Sequence, residues 1–95
     1  MSLSTLRRIR TFTVREKPWR MNWKASLDGG KSLGQCFQQS AVVEVALKQP
    51  SRELLDTLIH ELLHAEFPNE KERSITQAAR DISAVLHRVG FRLKP

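Results

Sequence analysis

Residues 41–68, AVVEVALKQPSRELLDTLIHELLHAEFP, decide the fold. Ala41–Leu47 is rich in β-branched side chains and reads as a strand. Gln49-Pro50-Ser51 interrupts it. Ser51 is placed to cap a helix, with Glu53 and Asp56 near the positive end of its dipole. Leu54, Leu55, Leu58, Ile59, Leu62 and Leu63 then recur at helical spacing up to Phe67-Pro68.

Towards the C-terminus, Asn69 and Glu72 have the spacing of a capping box. They open a second helix with Ile75, Ala79, Ile82 and Leu86 on one stripe, closed by Gly90. Phe91–Leu93 adds a last strand or a tail. Towards the N-terminus, Gly34–Phe37 is a short pairing segment. Trp19, Met21, Trp23, Ala25 and Leu27 alternate with polar residues, which is the period of a half-buried strand. Asp28-Gly29-Gly30-Lys31 ends it as a turn. Leu6–Val14 is a weaker first strand. The class is α+β: a small sheet of three to four mainly antiparallel strands followed by two helices. At 95 residues the chain, 1–95, is expected to be one domain.

The first of the two helices carries the chemistry. His60 and His64 are four residues apart, so they lie about 40° apart around the axis and one turn apart along it. Both imidazoles can face one ion, and neutral imidazoles suit zinc. Glu61 is rotated about 100° from His60. It is placed to reach water beside the ion, taking a proton and returning it to a leaving amine. This is the content of the H-E-x-x-H pattern.

A catalytic zinc site expects a third protein ligand. The candidates are Glu66, Glu70, Glu72, Asp81 and His87. Glu66 is on the wrong face of its own helix, and Asp81 points outward from the second. Glu72 borders the buried stripe at the second helix's start, where the turn at Pro68 folds it back towards His60. Glu70 and His87 are the runners-up. His87 is about 22 Å along the helix from Glu72, so the two cannot serve one ion.

His60-Glu61-Leu62-Leu63-His64-Ala65, followed by Glu70, Glu72, Ile75 and Ala79, resembles small HExxH metallopeptidases of the gluzincin clan, including minimal gluzincins and SprT-like putative metallopeptidases of bacteria and phages. The similar stretch runs from about Gly34 to Gly90, and the HExxH portion is its specific part. The resemblance implies zinc as cofactor, a glutamate third ligand matching Glu72 best, and peptide-bond hydrolysis with Glu61 as general base. It also implies that the strand before the zinc helix, Ala41–Leu47, edges the cleft, where a peptide or protein substrate can bind by strand addition. The chain departs from the family pattern in three places. Thr76 stands four residues after Glu72, where gluzincins often have an acid; Asp56 is a substitute. No third histidine closely follows the motif. No tyrosine is present to stabilise an oxyanion, which leaves His87, an arginine or the ion.

Charge suggests a second reading. Residues 1–31 hold eight basic side chains, Arg7, Arg8, Arg10, Arg15, Lys17, Arg20, Lys24 and Lys31, against Glu16 and Asp28. Residues 32–95 hold eight of each sign, so the whole excess of +6 lies in the first third. Residues 7–31 therefore offer a surface to nucleic acid or an acidic partner, or simply a solvated sheet edge. The alternative function is thus a catalytically weak or inactive peptidase-like module that binds through this segment. One cysteine, Cys36, rules out an internal disulfide and fits a reducing cytoplasm. It reads as a small buried hydrophobe, with zinc ligation as the other reading. No signal-peptide core or membrane-spanning run is expected.

Overall fold

A computed structural model describes residues 2–93. The order is α1 (Leu3–Leu6), β1 (Thr11–Val14), β2 (Lys17–Lys24), a 3-10 turn at Asp28–Gly30, β3 (Gly34–Phe37), β4 (Val42–Ala46), α2 (Ser51–Glu66) and α3 (Glu72–Arg88). The fold is α+β, a four-stranded sheet followed by two packed helices, as expected. Strand order is β1-β2-β4-β3. β1 with β2 and β3 with β4 are antiparallel, while β2 with β4 is parallel, Met21 opposite Val43.

α2 lies on one face of the sheet and α3 packs chiefly against α2. The core between them follows from the alternation of side chains. Val43 and Val45 on β4 and Trp19 and Met21 on β2 point to the helix side and are buried with Leu54 and Ala65 of α2. Val43, Val45, Met21 and Leu54 each contribute roughly 1.5–3 kcal/mol by burial. Leu6 and Leu93 join the same cluster from the two ends of the chain.

Several expectations are corrected. The first strand is Thr11–Val14 only, because Leu3–Leu6 coils into one helical turn that turns Leu6 into the core. Ala25 lies beyond β2 and is exposed. Ser51 does not cap α2. The carbonyl of Pro50 already accepts from the Leu54 amide, so Ser51 is the first helical residue. Asn69 does not cap α3 either. Lys71 holds the cap position and Glu72 is the first helical residue, so no capping box engages its carboxylate. On α3, Ile75, Ala79 and Ser83 are buried, whereas Ile82 is exposed. Phe91–Leu93 forms no strand. Gly90 does close α3: at φ 104° it lets the amides of Gly90 and Phe91 bond the carbonyls of His87 and Leu86.

The strand nearest the cleft is also not the expected one. β4 lies inside the sheet between β2 and β3, so its backbone is paired on both sides. β3 is the edge strand on the α2 side of the cleft.

Candidate metal centre

α2 begins after the Pro50 break and places His60 and His64 on one side, one turn apart in its last two turns. The chain reverses at Pro68, and α3 starts at Glu72 directly against them. The Nε2 of His60 lies 2.9 Å from Glu72 Oε1, the Nε2 of His64 lies 2.7 Å from Glu72 Oε2, and the two Nε2 atoms are 3.2 Å apart. One ligand atom from each of the three residues falls within 4.8 Å of the others, a group able to hold a metal ion. A tetrahedral zinc ion with bonds of about 2.0–2.1 Å sets donor separations of about 3.3 Å. The two Nε2 atoms are at about that separation, and each faces a different oxygen of the Glu72 carboxylate. Two imidazoles and a carboxylate also form a donor set that zinc accepts.

The three sit in an open cleft of about 630 Å³. Glu53, Asp56, Glu61 and Glu72 line it, and among the described residues no Lys or Arg does, so the field inside favours a cation. The Glu72 side chain is 67% exposed, against 18% and 22% for the imidazoles. Solvent therefore reaches the side of the group away from α2. Burial works to raise the Glu72 carboxyl, but the facing His60 and His64 win and hold it below the usual carboxylate range. Thr76 Oγ1, one turn on, donates to Glu72 Oε1 at 3.4 Å. Asp56 lines the cleft one turn before His60, with no hydrogen bond to either imidazole among the described residues.

Glu61 lines the same cleft but is buried beneath it, 7% exposed. Burial, then the negative charge of Glu72, pushes its carboxyl up to about 7. A carboxyl of that strength exchanges a proton readily near neutral pH. Its position depends on β3. A Cβ on Gly34 would stand 2.8 Å from Glu61 Cγ, from Glu61 Oε2 and from Thr57 Cγ2. Only glycine lets the strand lie this close over the carboxylate.

Side-chain amides lock β3 and β4 to α2 around this contact. Gln38 Nε2 donates to the His64 carbonyl at 2.6 Å. Gln49 Nε2 donates to the Ala46 carbonyl at 2.6 Å, and Gln49 Oε1 accepts from Thr57 Oγ1 at 2.9 Å. Sequence reading did not single out Gly34, Gln38, Gln49 or Thr57 as site residues. Thr57 alone had a signal, since it lies one turn before Glu61 on the same helical face.

The other candidates do not join the group. Glu70 is exposed between the helices. Glu66 is exposed at the end of α2, and Asp81 accepts from Gln77 on α3. His87 is at the far end of α3 against Arg92. Cys36 lines the cleft, half-buried, outside the metal-holding group. Burial and then Glu61 push its thiol up to about 11, so it stays protonated at neutral pH in the metal-free chain.

Comparison of the chain with protein-family models, curated proteins and solved structures finds no match in any of the three.

Proposed function

We propose that this chain is a small zinc-dependent metallopeptidase of gluzincin type, with His60, His64 and Glu72 as ligands and Glu61 as general base and acid. The observation that carries this reading is the convergence of the three donors beside a buried carboxylate in one open cleft. When bound, the ion supplies Lewis-acid polarisation and a lowered water pKa. Glu61 takes a proton from the attacking water on its carboxylate and returns it to the nitrogen of the leaving amine. Burial, the larger cause of its raised pKa, makes this carboxylate a stronger base than an exposed one for the first transfer. Thr76 steadies Glu72, and the Gln38 and Gln49 bonds keep β3 and α2 in register.

An extended peptide fits the free edge of β3 by strand addition, which brings its backbone alongside Glu61. The substrate strand is then β3, not β4. The test is Glu61→Gln, which keeps the shape of the side chain and removes the base. It is expected to retain metal and to stop cleaving a library of unstructured peptides read by mass spectrometry. Equal cleavage by the variant and the parent overturns the reading. A module that holds metal without hydrolysis predicts no cleavage by the parent chain.

A further inference from the structure

The charge excess of the first third gathers in one groove at the other edge of the sheet. Beyond β1, residues 7–10 run beside β2 and are pinned to it twice. The Met21 amide donates to the Arg10 carbonyl at 2.9 Å, and the Trp23 indole N–H donates to the Ile9 carbonyl at 2.8 Å. This segment forms one wall of a groove of about 820 Å³ and brings Arg7, Arg8 and Arg10 to it. β2 forms the other wall. Trp19 and Met21 face the core, so alternation turns Arg20, Asn22 and Lys24 to the face away from α2.

Five cations from two chain segments thus line one concave surface, and among the described residues no Asp or Glu does. The neighbouring acid, Glu44 on β4, accepts from Asn22 Nδ2 at 3.5 Å. By contrast, the metal cleft at the β3 edge is lined by acids. The molecule is therefore electrically two-sided, and the basic side is organised rather than scattered.

We infer that this groove binds single-stranded nucleic acid by its phosphate backbone. Three observations select that partner. Four of the five cations are arginines, whose planar forks suit phosphate oxygens. Arg20 and Lys24, with the neutral amide of Asn22 between them, stand about 13 Å apart along one strand and face Arg7, Arg8 and Arg10 across the groove, a run of positive charge that calls for a polyanion. A nucleic acid is a polyanion by its covalent structure, whereas a peptide needs a run of Asp or Glu. Finally, a groove of about 820 Å³ has room for a few nucleotides of one strand and is small against a duplex. The groove shares no residue with the metal cleft, so this inference stands independently of the peptidase reading.

The test is fluorescence anisotropy of the full chain with a dye-labelled oligothymidylate over a series of salt concentrations, with and without EDTA. Five phosphate contacts predict a slope of log affinity against log salt near about −3.5. EDTA is expected to leave binding unchanged. Arg20→Ala with Lys24→Ala is expected to weaken binding about tenfold and to flatten the slope by about 1.4. Lys17→Ala with Lys31→Ala removes the same charge outside the groove and is expected to keep binding within about twofold. Far-UV circular dichroism checks folding. Should the β2 pair misfold, Arg7→Ala with Arg8→Ala lies outside the sheet and reads the same loss. A slope near zero, equal losses in the groove and control pairs, tighter binding of polyglutamate, or tighter binding of a duplex each overturns the proposal.

Discussion

Gly34 and Glu61 are in contact across the interface of β3 and α2, and the space between them has no room for a methyl group. Alanine at Gly34 would meet the Glu61 carboxylate, the Glu61 stem and the Thr57 methyl, each at 2.8 Å. The strand sits in the sheet and cannot retreat freely. Gly34→Ala is therefore expected to cost about 1–3 kcal/mol in urea unfolding. It is also expected to displace Glu61 and depress peptide cleavage while zinc content stays at the parent level. An unchanged urea midpoint contradicts this packing.

The buried carboxyl of Glu61 gives the metal-free chain a defined pH dependence. It titrates near 7 when folded, against an ordinary 4.5. The folded state holds this proton more tightly, so Glu61 favours folding only while protonated. Its contribution is lost as pH rises from 4.5 through 7, by up to about 3 kcal/mol. In EDTA, Glu61→Gln is expected to be more stable than the parent above neutrality, with the gap closing in acid. Urea unfolding across that range checks it, and parallel stability curves for the two proteins count against it.

The two-residue turn joining β1 and β2 carries avoidable strain. Arg15 and Glu16 take φ values of 48° and 68°, the primed turn geometry that Asn-Gly accommodates. Replacing the pair by Arg15→Asn with Glu16→Gly is expected to stabilise the chain by about 1 kcal/mol. That corresponds to a rise of roughly 4–8 °C in Tm. Unaltered or lowered melting sinks the prediction.

Zinc is expected to raise Tm because it binds only the folded arrangement of α2 against α3. At a free concentration about a hundredfold above Kd the gain is about 2.7 kcal/mol, or roughly 10–20 °C for a chain of this size. EDTA reverses the shift, and His64→Ala removes it. Calorimetry that shows the same increment in parent and variant places the zinc elsewhere.

The helices were legible in the sequence because Leu54 to Leu63 and Ile75 to Ala79 repeat at the helical period, and that period fixes which side chains share a face. The convergence of His60, His64 and Glu72 follows from it, given a reversal at Pro68. Caps were not legible. Ser51 and Asn69 have capping side chains, but Pro50 and Lys71 take the positions, because tertiary contacts decide where the helical dihedrals begin. Sheet order was not legible either. Alternation in Trp19–Trp23 and Val42–Val45 marks an inward face and says nothing about which strand is the neighbour. So the parallel pairing of β2 with β4, and with it the move of the cleft edge from β4 to β3, emerged only from the structure. Gly34 had no signal in one sequence, since its role is a close approach between residues 27 positions apart.

His60, His64 and Glu72 are expected to close on one zinc ion. The most direct test is elemental analysis of the gel-filtered, zinc-loaded chain beside Glu72→Ala. One zinc per chain is expected in the parent and none retained in the variant. A parent chain that emerges without zinc, or a variant that keeps as much as the parent, contradicts it.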